Sequence, residues 1–144
     1  MTLLLAPLIA LVAIAAVALI LRAQRGSQRL LVGSVVESAR VRRSLPSILY
    51  FTGASCTICH TAQKPALRAL ADGLQESIEI REVDIAVEPA LARDYKVMSL
   101  PTTIVLDAGG HVTDVNAGFA SGETLRRQLV GAGMPVAASL LRVP

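Results

Sequence analysis

The chain has 144 residues, 53% hydrophobic and 17% charged, with a net charge of +3, which excludes a disordered chain and leaves room for one domain of ordinary size. Aromatic residues make up 3% and Trp is absent, which argues against a stacking platform for nucleic acid. Much of the positive charge sits in arginines that follow an apolar segment, which points to lipid headgroups and not to a nucleic-acid partner.

Leu3 to Leu21 carry no charge, and about 19 residues at 1.5 Å rise span roughly 28 Å, near the hydrocarbon thickness of a bilayer. Residues 1–21 are therefore expected to be a transmembrane anchor. Pro7 lies in the first turns, where a missing N–H costs little. A cleaved signal peptide is the rival, but Met1-Thr2 offers no basic side chain and the run ends in Leu19-Ile-Leu-Arg22 without a small-x-small site. Arg22, Arg25 and Arg29, then Arg40, Arg42 and Arg43, follow the helix, so the positive-inside bias places the remainder in the cytoplasm. Export of the domain stays open as the alternative location.

Residues 22–45 read as a juxtamembrane linker, broken at Gly26-Ser27 and Gly33-Ser34, with a short strand at Leu31 to Val36. From Pro46 the pattern becomes that of an α/β domain extending to residue 131. Ser47 to Phe51 is a continuous apolar run, as expected of a buried central strand. A helix follows over Thr57 to Leu74, with Ala66, Leu67, Leu70, Ala71 and Leu74 at three- and four-residue spacing and with Pro65 bending it or opening a new first turn.

Ile78 to Val83 alternates as a second strand, and Glu88 to Tyr95 is a short helix with Pro89 in its first turn. Thr103 to Leu106 and His111 to Asn116, joined by Asp107-Ala-Gly-Gly110, form a hairpin. Ser121 caps a last helix that turns Leu125, Leu129 and Val130 inward and Arg126, Arg127 and Gln128 outward. Residues 132–144 form a C-terminal tail without an assigned structure. The order requires a parallel central pair followed by an antiparallel pair, a mixed sheet flanked by helices.

Both cysteines fall in Phe51-Thr-Gly-Ala-Ser-Cys-Thr-Ile-Cys-His60. Three chemistries fit Cys56-x-x-Cys59, and two inert buried cysteines are the bland reading. As a dithiol, Cys56 lies at a strand-to-helix junction, where free N–H groups and the helix dipole favour a thiolate, and Cys59 lies one turn on, on the same face. As a haem anchor, the pair would be followed by His60 as ligand, with Met98, Met134 or His111 opposite, but the buried strand before it argues against a haem domain. As a zinc site, Cys56, Cys59, His60 and His111 are the whole supply of ligands, and adjacent Cys59 and His60 suit a tetrahedron poorly.

That stretch, followed after about 40 residues by Tyr95-Lys-Val-Met-Ser-Leu-Pro-Thr-Thr-Ile-Val-Leu-Asp107, resembles the thioredoxin superfamily over residues 46–131, and within it the membrane-anchored thioredoxin-like proteins. The resemblance implies a cis Pro101 facing the dithiol, with Leu100, Pro101 and Thr102 receiving the substrate backbone. It also departs from the family. Ser55 stands where a tryptophan usually precedes the first cysteine, Thr57-Ile58 replaces Gly-Pro, and Tyr50 occupies the place of a buried aspartate that assists proton transfer. Pro65 comes six residues after Cys59 and not five.

The expectation is a membrane-anchored thiol-disulfide oxidoreductase with Cys56 and Cys59 as catalytic residues, no dissociable cofactor, no metal, and protein thiols or disulfides as partners. The alternative is a non-catalytic thioredoxin-like binding or assembly module tethered to the membrane.

Overall fold

Six consecutive buried residues, Ser47–Thr52, form β1, the strand around which the other elements are arranged. It pairs in parallel with β2 (Glu79–Asp84) and antiparallel with β3 (Thr102–Leu106), and β4 (Val112–Ala117) completes the order β2-β1-β3-β4. The computed structural model describes residues 10–20, 22, 31–34, 44–74 and 78–135.

Side chains alternate across β1, so its two faces belong to different cores. Ile48 and Tyr50 pack with Leu67, Leu70 and Leu74 of α1 (Lys64–Leu74) and with Leu125 and Leu129 of α3 (Gly122–Gly131). Leu49 and Phe51 face the other way, onto Leu91 and Ala92 of α2 (Pro89–Asp94) and onto Tyr95, whose ring centroid lies 5.9 Å from that of Phe51. A continuous apolar run is what a strand covered on both faces needs.

The register places the loops. Phe51 lies opposite both Val83 and Thr102, and Thr102 lies opposite Ala117, so β1, β2 and β4 end where β3 begins. The segments after β1, after β2, before β3 and after β4 therefore meet at one pole. The β3–β4 turn sits at the other. There Asp107 accepts from the backbone N–H of His111 and Gly109 and faces the His111 ring at 3.2 Å. Burial alone would raise the Asp107 carboxyl, but these hydrogen bonds outweigh it and hold the group below its usual value.

The expected elements appear with small shifts of boundary. Ser121 caps α3 by accepting from Thr124 N–H at 3.2 Å. Gln128 corrects the outward reading of that helix, because its amide exchanges two 2.9 Å hydrogen bonds with Asn116 of β4. Met134, in the unassigned tail, is buried against the α1 and α3 core.

Residues 31–34 also pack on the domain, although they fall in the segment read as linker. Leu31 is buried beside Leu49 and Phe51, and a turn stands at 31–33 where a strand was expected. Gly33, at φ +85°, donates to Val112 C=O at 2.7 Å, while Val112 N–H donates to Ser34 C=O at 3.0 Å. These bonds cover the exposed edge of β4 at the pole away from the cysteines. Val35 and Val36 lie outside the described residues, as do Pro7, Leu21, Arg25, Arg29, Arg40, Arg42 and Arg43. Residues 10–20 are helical with exposed side chains, and among the described residues no helix is long and apolar enough to cross a membrane.

Candidate redox site

After β1 the backbone turns tightly, with Cys56 N–H donating to Gly53 C=O at 3.0 Å, and the helix begins at Thr57. Cys56 and Cys59 are joined as a disulfide with their Cα atoms 5.3 Å apart. The two sulfurs differ in surroundings. Cys56 is partly exposed, Cys59 is 0% exposed, and Cys59 N–H points at Cys56 Sγ at 3.3 Å. An amide at a helix start aimed at one sulfur favours negative charge there once the disulfide opens.

The expected helix runs unbroken over Thr57 to Leu74, but not as α-helix throughout. Cys59–Gln63 form a π turn, in which Lys64 N–H reaches back to Cys59 C=O, and α1 then starts at Lys64. A proline inside an α-helix clashes with the carbonyl four residues before it. The wide turn sits directly ahead of Pro65, so the later position of that proline is absorbed by one extra residue in the turn. Pro65 thus stands at the second position of the α-helical part, directly after the wide turn.

Tyr50, in the place of the expected carboxylate, is 1% exposed and donates its hydroxyl to Cys59 C=O at 2.8 Å. The Thr52 hydroxyl lies 3.3 Å from the phenol oxygen. Burial pushes the Tyr50 hydroxyl above its usual value, the Thr52 contact opposes this, the Glu82 charge adds to it and Lys64 subtracts. Tyr50 is therefore a hydrogen-bond donor at neutral pH and cannot take a proton from Cys59. Glu82 is its register neighbour on β2 and is paired with Lys64 at 2.9 Å, a largely solvated ion pair of small energetic weight.

The Leu100-Pro101 peptide is cis, as the resemblance implied, and Pro101 C=O accepts from Gly118 N–H at 2.7 Å. Leu100 packs against both cores, and a Cβ on Gly53 would stand 3.1 Å from its Cδ1, so the glycine permits this close approach of the loop to the Cys56 turn. Thr102 is buried with its hydroxyl turned back to Ser99 C=O at 2.7 Å. Leu100, Pro101 and Cys56 thus converge on one pole. Among the described residues from 44 to 135, the exposed large apolar side chains are Ile58, Val87, Met98 and Phe119, and all four stand on the segments that meet there.

The other chemistries do not assemble. Both sulfurs are bonded to each other, which leaves neither free as a thioether anchor in this form. His60 is exposed on the helix, and His111 lies at the opposite pole against Asp107, so the four zinc candidates are not brought together. Among the described residues no three His, Cys, Asp or Glu side chains cluster as metal ligands. Reasoning from sequence missed Gln63, which is fully buried and bonded to Ala120. Its signal was available, since Gln63 lies four residues before Leu67 on the buried stripe that continues through Leu70 and Leu74.

A central strand, a cystine at the mouth of the following helix and a cis-proline loop packed beside it define a thioredoxin-like α/β domain. The chain belongs to the thioredoxin family, whose signature matches residues 37–130. Its structure is similar to that of a malarial protein, with 27% identity and a TM-score of 0.57 over 62% of this chain and 98% of that one. It is also similar to malaria parasite thioredoxin-2, a component of that parasite's protein secretion machinery, with 28% identity and a TM-score of 0.56 over 65% and 89% of the two chains. A thioredoxin-like protein of Clostridium perfringens shares the fold at 24% identity, with a TM-score of 0.58 over 63% and 73%. No curated protein matches the chain.

Proposed function

We propose that the protein is a membrane-anchored thiol-disulfide oxidoreductase acting on protein disulfides. The observation that carries the activity is the asymmetry of the cystine: Cys56 is partly exposed with an amide N–H on its sulfur, while Cys59 is buried within bonding reach. In the dithiol form the Cys56 thiolate attacks a substrate disulfide, forming a mixed disulfide and releasing one substrate thiolate. Cys59, once deprotonated, attacks Cys56 Sγ, which closes the protein disulfide and releases the second substrate thiolate. Two electrons pass to the substrate. Leu100 and Pro101, on the adjoining loop, are the residues proposed to receive the substrate backbone, with Thr102 supporting them from beneath.

Insulin reduction by the dithiol form, together with a measured reduction potential, tests the activity. The expected result is insulin turnover, with the measured potential setting whether the pair serves as reductant or oxidant. A folded, fully reduced protein that leaves insulin intact would favour a tethered assembly module instead.

The anchor rests on the uncharged run of Leu3 to Leu21, and the orientation on Arg22, Arg25 and Arg29 directly after it. The domain is placed on the cytoplasmic side, where thiol pools keep such a pair largely reduced. A reporter active only outside the membrane, fused after Pro144, is expected to stay silent. Strong reporter activity reverses the orientation, and recovery of the fusion in the soluble fraction removes the anchor.

A further inference from the structure

One buried side chain of the helix that bears the cystine holds the loop after β4. Gln63 is 0% exposed, and its amide meets a single residue on that loop twice: Ala120 N–H donates to Oε1 at 2.8 Å, and Nε2 donates to Ala120 C=O at 3.1 Å. A β ladder joins two residues by the same reciprocal pair, and here a side chain supplies one half of it. A polar residue on a core stripe is costly unless each polar atom finds a partner. Gln63 meets that condition, and both of its partners belong to Ala120.

What the clasp holds lies at the redox pole. Ala120 packs in the same core as Cys59, with Cys56 against it. Its neighbour Phe119 is 54% exposed, and Gly118, with φ +94°, donates to Pro101 C=O at 2.7 Å. The loop is thus tied to the cystine helix on one side and to the Pro101 loop on the other. Without the clasp, the described hydrogen bonds to the 118–120 backbone reduce to the one from Gly118.

We infer that Gln63 is a positioning residue whose amide fixes the Phe119 loop at the pole that carries the cystine, so that this loop forms part of the surface gripping a protein disulfide. The inference rests on the oxidoreductase reading. It predicts an effect on substrate capture and not on thiol chemistry.

Two variants test it in the full chain, with insulin as the substrate. Gln63→Met keeps the bulk and removes both hydrogen bonds, and it should raise KM about tenfold with kcat changed less than about twofold, while amide exchange at Ala120 speeds up. Gln63→Glu supplies a pH readout. A protonated carboxyl donates once and accepts once, as the amide does, whereas a carboxylate turns a second acceptor toward Ala120 C=O. Burial favours the protonated form, so KM should lie near that of the unmodified protein at about pH 5 and climb about tenfold above it by about pH 8. Unchanged KM in both folded variants, or a fall in kcat with KM constant, overturns the inference while the oxidoreductase reading stands. Failure of the unmodified dithiol protein to reduce insulin overturns both.

Discussion

Cys56→Ser is expected to lower insulin reduction by roughly a thousandfold, because a hydroxyl does not ionise near neutral pH and the remaining thiol, Cys59, is buried away from substrate. Cys59→Ser should also stop turnover, but at a different point. Its Cys56 still attacks, and without a resolving thiol the mixed disulfide accumulates and can be captured after acid quenching. The basis is the difference in burial between the two sulfurs and the Cys59 N–H aimed at Cys56 Sγ. In the reduced, unmodified protein Cys56 should accordingly be alkylated faster than Cys59 at neutral pH. Equal slow alkylation with no captured adduct would remove the assignment of attacking and resolving roles.

Tyr50→Asp should lower stability at neutral pH by about 3–5 kcal/mol, since it deletes a buried aromatic ring and places a carboxylate beneath the π turn. Tyr50 is 1% exposed between β2 and β3, and its register neighbour Glu82 adds a like charge that Lys64 offsets only in part. The sign of the pH dependence follows from burial. The folded-state pKa of the new carboxyl is raised above its unfolded value of about 3.9, so the electrostatic penalty is absent below that value and complete above the folded pKa. Urea unfolding of both proteins at about pH 4 and pH 7 should show the larger deficit at pH 7. An equal deficit at both would mean that the carboxylate reaches solvent.

The same substitution bears on the resolving step. Tyr50 donates to Cys59 C=O and keeps its proton, so deprotonation of Cys59 in the unmodified protein depends on water or on another base. Resolution is expected to be slow, and Tyr50→Asp to quicken it where the variant folds. Stopped-flow resolution of the mixed disulfide in the unmodified protein, if as fast as in thioredoxins that carry the carboxylate, would clear Tyr50 of this limitation.

Local pattern alone was enough for most elements of the domain. The buried run at Ser47 to Phe51, the Ser121 cap, Pro89 in a first turn and the Asp107 to Gly110 turn each act through neighbouring residues, and each stands where the sequence placed it. The cysteine spacing also set the site, because residues three apart at a helix start share a face whatever surrounds them. Long-range partners could not be read this way. Local pattern turns Gln128 toward solvent, but β4 brings Asn116 to it, and local pattern puts Leu31 in a linker, but the α2 side of the sheet offers it a core. The late Pro65 registered as a departure from a family pattern, but its resolution into a π turn depends on how the helix seats Cys59 and Gln63 against Tyr50 and Ala120. Sequence determined which side chains could react and which local turns could form. Tertiary structure decided which sulfur is exposed and which loops stand around it, because burial and hydrogen-bond partners are set by segments far apart in the chain, as Gln63 and Ala120 are.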